Sequence, residues 1–215
     1  MKTLLVVLGA IFAIAASTTA LAFLGLPYQP LGREFLQTNP YGAAGIFAAV
    51  SGSTTPDQLP GATAEDSITN GDFTIFAGQE NTTIGDGIDE ITVWDFDFAA
   101  DPGFDSFPTS NPLQSALLTL TLTPKSSSAS FGTDWIRISG LANINPDIYA
   151  DLAIDETATI ELDLLDCFDL PGPEPVCYSS EDILGALQEG DGQITMASQD
   201  DAIVSAAELV LVPGP

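Results

Sequence analysis

Histidine is absent from this chain, lysine and arginine together number 4, and cysteine occurs 2 times in 215 residues. Each scarcity removes a class of chemistry. Without histidine there is no imidazole to ligate a metal, to act as a base near neutral pH, or to complete a Ser-His-Asp or Cys-His arrangement. Set against 30 acids, the 4 bases leave a formal charge of −26, which offers no footprint for a phosphate backbone and would be repelled by an anionic leaflet. No G-x-S-x-G elbow, P-loop or dinucleotide fingerprint occurs, and no repeat recurs at a solenoid or propeller period. Nucleic acid is therefore not an expected partner.

What is present begins with an export signature. Residues 1–22 carry Lys2, an apolar stretch from Leu4 to Ala16, and Ala20-Leu21-Ala22 in the form of an A-x-A cleavage site. The apolar stretch is short for a membrane span, so a cleaved signal peptide and a secreted or cell-surface protein are expected, with no membrane partner after cleavage. Cys167 and Cys177 enclose a segment with Pro171, Pro173 and Pro175. Outside the cytosol such a pair is expected to close a structural disulfide. The neighbouring Asp166, Asp169 and Glu174 would raise a thiol pKa, which argues against a redox role.

Residues 23–66 are rich in proline, glycine, serine and threonine and read as an extended arm or linker. Within it, Gly45 to Val50 could add a strand to the domain's own sheet or lend one to a neighbouring molecule, and the first is favoured. The domain proper is expected over 67–215, where hydrophobicity takes a period of two. Trp94, Phe96 and Phe98 alternate with Asp95 and Asp97; Leu118, Leu120 and Leu122 alternate with Thr119, Thr121 and Thr123; Ile160, Leu162 and Leu164 alternate with Thr159, Glu161 and Asp163. Alternation of this kind writes a half-buried antiparallel strand. Strands are also expected at Asp72 to Ala77, Trp135 to Ser139 and Ile203 to Val212. One short helix is expected near 180–189, capped by Ser179, carrying Ile183, Leu184 and Leu187 on one side and stopped by Gly190. The fold class is all-β, an antiparallel β-sandwich of jelly-roll type.

The acids serve solubility, tolerance of salt, or cation binding. Calcium takes roughly six to eight hard oxygens, so the spacing of carboxylates matters more than their number. Asp86, Asp89 and Glu90 lie in a glycine-rich turn ahead of a strand. Asp95, Asp97, Asp101 and Asp105 run from that strand into the next turn. These residues are the candidate ligands of a structural Ca2+. Tyr149 and Tyr178 are candidates to stack on sugar rings, whereas Trp94 and Trp135 are expected in the core. A carboxylate-pair glycosidase is the least favoured reading, because 30 acids bring some pair to a suitable separation by chance.

The segments from Ser115 to Ser127, Thr133 to Leu141 and Asp200 to Pro213 resemble bacterial secreted β-sandwich proteins of the PEP-CTERM-associated kind, found in cyanobacteria and other exopolysaccharide producers. In those proteins a closing strand leads into Val-Pro-Glu-Pro, an apolar helix and a basic tail. Here Val212-Pro213-Gly214-Pro215 has Gly214 in the glutamate's place, without that helix and tail. The resemblance implies a non-catalytic extracytoplasmic protein that is released or retained by assembly. The expected function is thus structural or adhesive, in an extracellular matrix or at a cell surface, with filament formation by exchange of the 41–50 strand as a specific form. A polysaccharide-binding module is the alternative, so the expected partners are further copies of the chain or an extracellular polysaccharide.

Overall fold

Strands of alternating pattern pair here into two antiparallel sheets that face each other. The computed structural model describes residues 45–126, 134–144, 152–168 and 175–215. The expected signal peptide, most of the arm and Tyr149 lie outside them.

Strands are numbered in chain order. The four-stranded sheet runs β1 (Ile46–Ser51), β13 (Ala202–Pro213), β7 (Leu113–Pro124), β9 (Ala158–Asp163). The five-stranded sheet runs β3 (Ser67–Asn70), β4 (Phe73–Ala77), β6 (Glu90–Asp97), β12 (Gln193–Asp200), β8 (Trp135–Ile138). Because β1 is part of the first sheet, the sandwich begins ahead of residue 67. The expected segment Gly45 to Val50 supplies a strand, Ile46–Ser51, of the chain's own sheet, with Ile46 opposite Leu211 and Val50 opposite Ala207.

The alternation is obeyed. Leu118, Leu120 and Leu122 of β7 are fully buried, and they meet Trp94 and Phe96 of β6, Ile194 and Met196 of β12, and Leu209 and Leu211 of β13 in one core. Asp95 and Asp97 face outward, as their alternation with these aromatics requires. Strand β13 departs from simple alternation. Val204 points inward, the register shifts at Ser205, and Ala207, Leu209 and Leu211 then point inward on the opposite phase. That bulge lets a strand apolar at nearly every position serve one core.

The aromatic part of the core is ordered by ring contacts. Trp94 meets Phe73 edge-on at 5.8 Å and Phe96 at 6.2 Å between centroids. A smaller cluster of Ala62, Ile75, Ala77 and Ile84 extends it, closed by the paired short strands β2 (Leu59–Ala62) and β5 (Thr82–Ile84).

The helix α1 (Ser180–Glu189) forms as expected. The Ser179 hydroxyl accepts the Asp182 N–H at 3.1 Å, and the Asp182 carboxylate accepts the Ser179 N–H at 2.8 Å, a complete capping box. The Ser179 hydroxyl also donates to the Asp182 carboxylate at 2.7 Å, and this bond first, with the Ser179 N–H second, holds the Asp182 carboxyl below its ordinary range. Ile183, Leu184 and Leu187 pack against the core, and Gly190 ends the helix. Cys167 and Cys177 are joined and sit opposite each other on β10 (Cys167–Phe168) and β11 (Val176–Cys177).

Candidate functional site

The candidate calcium ligands are distributed rather than gathered. Asp95 and Asp97 project from the outer face of β6, and Asp95 accepts the Thr195 hydroxyl at 2.5 Å. Asp101 holds its own turn, accepting Gly103 N–H at 2.7 Å through one oxygen and Phe47 N–H at 3.3 Å through the other. Asp105 is exposed in a short 3-10 turn. Asp86 accepts the Ile88 N–H at 3.1 Å, closing the loop on itself, and Asp89 has a left-handed backbone, φ 53°. Among the described residues no three acidic or sulfur side chains converge as a metal cluster.

Glu90 is different, because its place on β6 turns it into the sandwich. It is 2% exposed and stands opposite Asp200 of β12, itself 6% exposed. The next inward pair along the ladder is Thr92 and Ser198, also buried. Oε1 of Glu90 accepts the Gly85 and Asp86 N–H groups and so ties the 85–89 loop to the sheet. Gly87 belongs to that loop with φ +77°, and a Cβ there would meet Ile203 Cγ1 at 2.7 Å, so only glycine fits. Burial pushes the Glu90 carboxyl up to about 6; the loop N–H groups pull it down and the Asp86 charge adds to the rise.

Tyr178 corrects the expectation of a sugar platform. It is 4% exposed, donates its hydroxyl to the Ala142 carbonyl at 2.5 Å and accepts the Ile138 N–H at 3.3 Å. Its ring belongs to the core because the chain after β11 turns inward to start α1, and burial pushes its phenol up to about 12.

Trp135 corrects it in the other direction. Instead of entering the core, its indole lies half-buried on the outer face of the edge strand β8, with the Arg137 guanidinium 4.6 Å above the ring. Its Nε1 donates to Gln199 at 2.9 Å. The register continues from Trp135 through Gln199 and Ile91 to Phe76, and a neighbouring row runs Arg137, Ala197, Val93, Thr74. Sequence reasoning missed this face because each strand contributes only one or two of its residues. The available signal was the outward phase of Ile91 and Val93, apolar side chains on the polar face of β6.

On the outer face of the other sheet, Glu208 of β13 is raised above its ordinary 4.5 by burial first and by the Glu161 charge second. A carboxyl raised in the folded state favours folding fully below its unfolded value, and that contribution is lost as pH rises through the folded one. Glu208→Gln should therefore raise the melting midpoint at neutral pH. Thermal scans against pH should show the advantage shrinking toward zero below about pH 4.5.

No protein-family model matches the chain, and no curated protein matches it.

Proposed function

We propose that the protein is an exported, non-catalytic structural or adhesive component of an extracellular matrix or cell surface. The observation that carries this reading is the division between a closed aromatic and aliphatic core and an acid-bearing exterior. On that exterior Lys125 and Asp155, at 2.7 Å, make the one ion pair seen among the described residues. Molecules coated with one sign of charge stay apart until salt or a cation screens them, which suits assembly after export.

Strand β1 supplies an assembly route. It is an edge strand paired with β13, and Ile46, Ala48 and Val50 are its core side chains. The same strand from a neighbouring copy would fill the same positions without new contacts, linking copies into a filament. Electron microscopy of native material across salt and calcium concentrations tests this. Filaments or lattices are expected; particles that stay monodisperse throughout would remove the route, and intact precursor in the cytosol would remove export.

Binding of polysaccharide is a second reading, favoured by the outer face of the five-stranded sheet. There Trp135, Phe76, Ile91 and Val93 lie beside Gln199, Thr195 and Asp95, apolar surface next to hydrogen-bonding groups. Trp135→Ala should weaken retention on a polysaccharide matrix by about fivefold to tenfold, the worth of one stacked ring. Affinity electrophoresis measures it, and unchanged mobility would exclude this face.

A further inference from the structure

At one end of the interior two ladder pairs put oxygen where the rest of the core has hydrocarbon. Glu90 faces Asp200 and Thr92 faces Ser198, and all are at least nine-tenths buried. Like charges directly opposite on adjacent strands repel, and removing a carboxylate from water is costly unless something compensates. Part of the compensation is visible. Glu90 Oε1 takes the Gly85 and Asp86 N–H groups, and Asp200 Oδ1 takes the Asp201 N–H at 2.6 Å. The remainder is not: Glu90 Oε2 and Ser198 Oγ are buried with no hydrogen-bond partner. Lys125, whose stem lies near Gly87, directs its ammonium to Asp155 instead.

We propose that Glu90, Asp200 and Ser198 form a binding site for a hard divalent cation, with calcium the best match, inside the end of the sandwich. A proton shared by the two carboxyls would give Glu90 Oε2 a partner and leave Ser198 Oγ without one. A cation answers both oxygens and offsets the two like charges at once. The donors are all oxygen, the set that selects calcium or magnesium over softer metals. With two carboxylates in place of three or four, the affinity belongs in the ~0.1–1 mM range of extracellular calcium modules. Of the seven candidate ligands in the 86–90 and 95–105 stretches only Glu90 takes part. The inference stands on this interior geometry and does not depend on where the protein works.

The test is calcium titration of the full chain, stripped with chelator, by calorimetry and thermal melting at neutral pH. Saturable millimolar binding and a rise in melting midpoint are expected. Glu90→Gln and Asp200→Asn should each weaken calcium by roughly tenfold or more, while Asp95→Asn on the outer face leaves it unchanged. Dichroism establishes first that each variant is folded. Should both carboxamide variants fail to fold, Ser198→Ala, which keeps every charge, is expected to bind more weakly, and unaltered affinity would overturn the site. So would a folded wild type that shows no saturable binding, or carboxamide variants that bind as the parent does.

Discussion

Trp94→Ala should lower the unfolding free energy by about 3–5 kcal/mol, the usual cost of deleting a large aromatic side chain from a packed core. Trp94 is 1% exposed and holds Phe73 and Phe96 in edge-on contact. Its removal forfeits both ring contacts, and the sheet backbones on either side cannot close the space. Its indole Nε1, however, is buried without a hydrogen-bond partner. The ring's bulk, not its N–H, is what the fold uses. Trp94→Phe removes the orphaned donor, whose burial costs about 1–3 kcal/mol, and should therefore stay within about 1.5 kcal/mol of the parent. Denaturant melts of the pair of variants check this, and a phenylalanine variant as damaged as the alanine one would show that the N–H has a partner after all.

Opening the Cys167–Cys177 bridge should cost about 3 kcal/mol, since it closes a loop with a sequence separation of 10. A double serine variant isolates this from thiol chemistry. The bridge sits on a two-stranded ribbon just ahead of α1, and Tyr178, next to Cys177, carries its ring into the core. Loosening the ribbon therefore reaches Tyr178 and its hydrogen bonds to Ala142 and Ile138. Equilibrium unfolding of the oxidised protein and of the serine variant gives the difference; a loss below about 1 kcal/mol would mean that the ribbon holds without its bridge.

Much of the fold was legible because β6, β7 and β9 write their two faces in different residue types. The helix was legible because Ser179, Asp182 and Gly190 mark its ends. Strand β12 was not. Its inward residues are Ile194, Met196, Ser198 and Asp200, so the face that enters the core becomes polar halfway along and the alternation dissolves. Since β12 carries Ser198 and Asp200, the polar end of the interior was hidden with it. The seven acids chosen from spacing were neighbours in sequence, but alternation sends Asp95 and Asp97 outward while Glu90, of opposite phase, turns inward. Trp135 was misplaced because its size was weighed above its phase: in Trp-Ile-Arg-Ile the two isoleucines share one face and Trp135 shares the other with Arg137, and on an edge strand an aromatic ring can cover the outer face of a sheet.

The position of β13 has a consequence for the order in which the molecule is built. It lies between β1 and β7, pairing Ala48 with Leu209 and Leu120 with Ala207. Until residues beyond 202 have emerged, β1 has no ladder at all and β7 has only β9, however early they were synthesised. Non-local pairing of this kind is slow, on the order of milliseconds to seconds. β3, β4 and β6 can pair early, as can β7 and β9, but β1 joins its sheet only when β13 arrives, so a premature stop ahead of β13 would leave that sheet split and yield material for proteases rather than a smaller sandwich.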